Sequence, residues 1–227
     1  MPHGGPDLRD WIRFDWWAQF LANRGYAVFQ PNFRGSKGYG HAFTDAGLGQ
    51  WGLKMQDDIT DGVKALIADG TADPKRICIV GASYGGYAAL AGATFTPDLY
   101  ACAASISGVA DLGRMIDYER KMHGRHSGSV SFWQSRIGAP DDAARIDATS
   151  PALHADRVRI PILLMHGKLD TTVPYAQGEA ERDALERAGR KVEFATFDVD
   201  DHYLTLASTR LQMLTNLERF LKANIGQ

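Results

Sequence analysis

The stretch Arg76-Ile77-Cys78-Ile79-Val80-Gly81-Ala82-Ser83-Tyr84-Gly85-Gly86-Tyr87-Ala88-Ala89-Leu90 decides the fold. It reads as an apolar strand, a tight Gly-x-Ser-x-Gly turn and an Ala-rich helix, the context of a nucleophile elbow. At such a strand-to-helix turn the serine takes a strained backbone conformation that lifts its hydroxyl above the sheet edge. Glycines flank it because side chains there would strike the neighbouring strand or helix. The helix start supplies a free N–H and a positive dipole end where an oxyanion would form. The pentapeptide alone also occurs in incidental turns; the strand before it, the helix after it and the extra Gly86 separate the two readings.

Outward from the elbow, short apolar runs alternate with helical stretches, the pattern of a mostly parallel sheet covered by helices. The expected strands are Tyr26–Pro31, Arg76–Val80, Ala101–Ser107, Ile160–His166 and Val192–Phe197. Each is short and bounded by turn residues, as a strand buried on both faces requires. Helices are expected over Asp10–Arg24, with Trp11, Phe14, Trp17, Phe20 and Leu21 on one face, and over Asp57–Asp69 and Tyr175–Ala188. Each stops at a glycine suited to the C′ position. A last helix over Thr205–Ala223 places Leu211, Leu214, Leu217, Phe220 and Leu221 on one stripe. Asp111–Ser150 breaks the rhythm and reads as a partly helical excursion of the kind that forms lids or pocket walls.

The 227 residues suit one domain, 1–227, with no repeat or linker to mark a second. Apolar residues at 44% are enough for a full core, and a net charge of −2 offers no basic surface for nucleic acid or anionic membrane. No apolar run is long enough to span a bilayer. Cys78 and Cys102 read as reduced, buried small hydrophobes; a disulfide would require their two strands to be neighbours.

An elbow serine needs a base, and the base needs an orienting acid. In this fold the chain order is Ser, then Asp or Glu, then His. Ile162-Leu163-Leu164-Met165-His166-Gly167-Lys168-Leu169-Asp170 is a strand running into a loop that ends on aspartate. Val192–Phe197 runs into Asp198-Val199-Asp200-Asp201-His202. Asp170 and His202 therefore belong at the same sheet edge as Ser83, where open α/β sheets carry their sites. Asp198, Asp200 and Asp201 share the histidine's own loop and are expected to hold that loop or cap the final helix. His166, at a strand end, reads as a buried structural residue; His41, His123, His126 and His154 lack a strand-edge context. His123 and His126 gather no further ligands, so no metal site is expected. Gly35-Ser36-Lys37-Gly38-Tyr39-Gly40 lacks the strand–helix junction of a phosphate loop, and no cofactor is expected.

Beyond the elbow, several motifs match one family. His3-Gly4-Gly5-Pro6, Asn32-Phe33-Arg34-Gly35-Ser36-Lys37-Gly38-Tyr39-Gly40, Gln50-Trp51-Gly52, His166-Gly167-Lys168-Leu169-Asp170 and Asp201-His202-Tyr203 span nearly the whole chain. With them, the sequence resembles the catalytic domain of the prolyl oligopeptidase (S9) family, nearest its acylaminoacyl-peptidase-like branch. The resemblance implies an α/β-hydrolase fold and a serine peptidase acting on short peptides, with Ser83, Asp170 and His202 as the triad. It implies an oxyanion hole from the backbone N–H groups of Tyr84 and Gly5. Tyr87, Phe132 and Trp133 are candidate pocket residues, with core packing the competing role for each. A carboxylesterase would use the same triad, and an inactive fragment serving as a binding domain is the rival from another class.

The resemblance also implies an N-terminal β-propeller and a strand leading into His3-Gly4-Gly5-Pro6, placed between Tyr26–Pro31 and Arg76–Val80. Neither is present, so the sequence is expected to be N-terminally truncated, with unpaired backbone beside that gap. On that expectation the missing secretory signal says nothing about compartment, and oligomeric state, including a homo-oligomer, stays open.

Overall fold

The computed structural model describes residues 1–226. Four strands, β1 (Cys78–Ala82), β2 (Cys102–Ile106), β3 (Ile162–Gly167) and β4 (Val192–Phe197), form one sheet in the order β1-β2-β3-β4, every neighbouring pair parallel. Parallel neighbours need crossover connections, and these are helical. They include α4 (Tyr84–Phe95) after β1 and α8 (Ala176–Arg187) between β3 and β4.

Period-two alternation divides the sheet between two cores. Ile79, Ala103, Ile162 and Leu164 face a layer built from α3 (Lys54–Ala68), α4 and α8. Val80, Cys102, Ala104, Ile106, Leu163 and Met165 face α1 (Trp16–Asn23) and α9 (Ala207–Ile225). This is the α/β-hydrolase architecture, a parallel sheet flanked by helices. The excursion is α5 (Leu112–His123), α6 (Gly128–Ile137) and α7 (Ala143–Ala148). Leu112, Met115, Trp133 and Ile137 anchor it in the same core as the elbow helix.

Four expectations need correction. Tyr26–Pro31 pairs with no strand among the described residues; its carbonyl at Phe29 instead accepts from the Met1 amino group at 2.6 Å. A strand exists only through its neighbour's ladder, so an apolar run without one stays irregular. The first helix begins at Trp16 rather than Asp10, because Asp15 caps it, its Oδ1 accepting from Trp17 N and Ala18 N at 2.9 and 3.0 Å. Trp11 and Phe14, expected on the buried face, are consequently exposed. In α9 Leu211 is exposed and Met213 takes the buried place expected of it. Finally, Cys78 and Cys102 are register partners on adjacent strands, with Cα atoms 4.7 Å apart, and are joined as a disulfide rather than left as thiols.

The elbow explains its glycines. A Cβ at Gly81 would fall inside the Gly85 carbonyl, and one at Gly86 would lie 2.8 Å from both Gly108 Cα and Ser105 Oγ. Backbone, unlike a side-chain tip, cannot move aside cheaply. Gly81→Ala is therefore expected to cost about 3 kcal/mol or more in denaturant unfolding. An unchanged midpoint would contradict the close approach of strand and helix.

Candidate active site

Ser83 lies between β1 and α4 with φ 58° and ψ −121°. That region is costly for a residue with a Cβ, and such strain persists only where surrounding contacts impose it. Here Ser83 N donates to Ile106 O at 3.0 Å and Tyr87 N donates to Ser83 O at 3.0 Å, pinning the turn to β2 and to its own helix. Tyr84, first residue of α4, has no intrahelical acceptor for its N–H, as at any helix start.

The His3–Pro6 loop lies directly against the elbow. A Cβ at Gly4 would sit 3.5 Å from Ser83 Cβ, and one at Gly85 would overlap the Pro2 carbonyl. His3 fastens the loop: its Nδ1 donates to Gly4 O at 2.7 Å, its Nε2 is 2.8 Å from Ser36 Oγ, and its ring stacks on Phe33. The Asn32–Gly40 stretch is thus a scaffold for this loop. It is braced by Arg34, whose side chain and backbone N–H all donate to the Asp58 carboxylate. Asp7, just beyond the loop, pairs with Arg136 of α6 at 2.5 Å.

Asp170 and His202 meet at the carboxyl edge of the sheet, beyond β3 and β4. Asp170 Oδ1 accepts from the amides of Thr172 and Val173 at 2.9 and 2.8 Å, leaving Oδ2 for His202 Nδ1 at 2.7 Å. A carboxylate only accepts, so Nδ1 carries the proton and Nε2 presents a lone pair. Burial would raise the Asp170 pKa, but hydrogen bonds from His166 and His202, the nearby His202 charge and the Val173 amide outweigh it. The carboxyl is held well below the usual range. No hydrogen bond joins Ser83 Oγ to His202 among the described residues.

The rival aspartates have other work. Asp198 pairs with Lys168 at 2.7 Å, and Asp201 Oδ1 accepts from Tyr203 N at 3.0 Å. Asp200, buried, accepts from the amides of Asp201, Thr205 and Leu206 and so holds the turn into α9. His166 is buried as expected, donating from Nε2 to Val173 O at 2.9 Å. It also lies 3.4 Å from Asp170 Oδ2, a contact the sequence did not disclose.

Of the pocket candidates, Tyr87 is a core residue. It is wholly buried between Trp51 and Tyr84, and its hydroxyl donates to Thr149 O at 2.9 Å, so it packs in the core. Trp133 packs edge-on against Trp51 and is also core. Phe132 stays exposed, its ring 4.3 Å from the Arg136 guanidinium.

Known proteins resemble this arrangement closely. The sequence profile described as the Prolyl oligopeptidase family matches residues 12–227. The dipeptidyl aminopeptidase BIII of Pseudoxanthomonas mexicana is 37% identical over 99% of this chain and 32% of its own length. A puromycin-hydrolyzing peptidase of Mycobacterium tuberculosis superposes with a TM-score of 0.92 at 31% identity, covering 99% of this chain and 33% of that one. The acylaminoacyl peptidase of Pyrococcus horikoshii superposes with a TM-score of 0.88 at 27% identity, over all of this chain and 37% of that one. The chain thus spans about a third of the length of the relatives it matches.

Proposed function

The chain belongs to the prolyl oligopeptidase family, and from that membership we propose that it carries the catalytic centre of a serine peptidase cleaving short peptides. Ser83 is the nucleophile, His202 the base and Asp170 the acid that orients it. The observation that carries the reading is the 2.7 Å His202–Asp170 hydrogen bond at the sheet edge shared with a serine held at positive φ.

Ser83 Oγ attacks the scissile carbonyl as His202 Nε2 takes its proton. The carbonyl oxygen becomes an oxyanion, received by the N–H groups of Tyr84 and Gly5. The protonated His202 then delivers that proton to the departing amine, leaving an acyl-serine. Water, deprotonated by His202, attacks the acyl-serine and releases the acid and free Ser83. Each oxyanion donor is worth about 3 kcal/mol of transition-state stabilisation. Asp170, pinned through Oδ1, stabilises the imidazolium without taking its proton.

The relatives are named for dipeptidyl, acylaminoacyl and puromycin-hydrolysing activities. All three reactions release an amine from a short acyl or aminoacyl group, and the same class of substrate is proposed here. The test compares dipeptidyl and N-acylaminoacyl anilides with short acyl esters as substrates of the protein. Turnover of the anilides is expected; turnover confined to esters would make it a carboxylesterase.

A further inference from the structure

Beside His166 lies a small cavity of about 10 Å³, lined among others by Ser105, Gln177, Gly178 and Glu181. That is room for one water. Glu181, on α8, is 1% exposed, and neither of its carboxyl oxygens has a hydrogen-bond partner among the described residues. A buried carboxyl left in that state is costly unless the cavity supplies a partner. His166 turns the other way from its Val173 contact: a Cβ at Gly178 would lie 2.8 Å from Nδ1, so that nitrogen faces α8 one turn before Glu181. Because Nε2 donates to a carbonyl, the neutral ring has Nδ1 as an acceptor. The wall thus offers a ring nitrogen that needs a donor and an acid that needs an acceptor.

We propose that Glu181 is a positioning residue. As a neutral acid it donates, through one water in this cavity, to His166 Nδ1, fixing the ring that backs Asp170 Oδ2 against His202. The proposal rests on the triad assigned above. Burial pushes the Glu181 carboxyl up to about 8, which keeps it protonated and able to donate at neutral pH. The ionisable groups around His166 are Asp170 in its own loop, Tyr175 just before α8 with its ring 5.7 Å away, Glu181 on α8, and His202 beyond Asp170. Ser105 and Gln177 complete the wall without charge, Gln177 being engaged with the backbone of Ala110 and Asp111.

Glu181→Leu and Glu181→Gln separate a positioning role from a space-filling one. Leucine removes a buried carboxyl and fills similar volume, so the variant is expected to stay folded. Glutamine keeps a neutral donor. Two readouts apply to the protein: kcat on an anilide substrate, and the low-field proton resonance of the His202–Asp170 hydrogen bond. With leucine, kcat is expected to fall about tenfold at unchanged KM, and the resonance to move upfield as the hydrogen bond loosens. Glutamine is expected to restore both. A leucine variant with wild-type kcat and an unmoved resonance would overturn the proposal. A wild type inert towards every substrate would defeat the peptidase reading instead, and the resonance comparison would still decide the role of Glu181.

Discussion

Ser83→Ala is expected to lower kcat/KM by about 10⁵-fold and to abolish covalent labelling by a fluorophosphonate. Without Oγ there is no acyl-enzyme, and only the oxyanion donors and substrate binding remain to assist water. The same position tests the backbone argument. Alanine inherits φ 58° and its strain, so the Ser83→Ala variant should melt close to the wild type. Glycine is free of that penalty, so Ser83→Gly should be equally inactive yet more stable by about 1 kcal/mol. Activity and labelling are read on the folded protein, and stability by thermal melting. Retained labelling, or a loss below about a hundredfold, would place the nucleophile elsewhere.

Asp170→Asn is expected to cost about 10⁴-fold in kcat by a different route. The Thr172 and Val173 amides demand an acceptor at the Oδ1 position, so the asparagine carbonyl must stay there. Its NH₂ then replaces Oδ2 and points a donor at His202 Nδ1, which must become the acceptor. The proton moves to Nε2, and the base loses its lone pair. The loss should be in kcat, with KM little changed, because the Asp170 side chain is fully buried. A loss of less than about a hundredfold would show that His202 is oriented by another group.

The same carboxylate links stability to pH. Its native pKa is depressed below the ordinary value near 3.9. Its contribution to stability is therefore fully present above that value and is lost as pH falls through the native one. Asp170→Asn should flatten that part of the acid denaturation curve.

The positions of Ser83, Asp170 and His202 were legible because each is a local event. A strand ending in Gly-x-Ser-x-Gly forces its serine outward, and a strand running into a short loop puts Asp170 or His202 at the carboxyl edge. The near-continuous apolar runs of β1, β2 and β3 likewise mark strands buried on both faces without reference to the rest of the chain. Elements whose form depends on a distant neighbour were not legible in this way. Tyr26–Pro31 has the composition of a strand, yet composition supplies no ladder. Tyr87 could line a pocket or fill a core, and only the approach of Trp51, Tyr84 and Thr149 decides for the core.

By itself, then, the sequence determined the parallel α/β sheet, the elbow and the order of Ser83, Asp170 and His202, since strand periodicity and turn chemistry act over a few residues. The tertiary structure alone decided the cross-strand partnership of Cys78 with Cys102, the bracing of the His3–Pro6 loop by Ser36 and Phe33, and the placing of His166 and Glu181 around one cavity. The physical reason is that hydrogen bonds, desolvation and close packing act between atoms brought together by folding, at separations along the chain that no local pattern encodes.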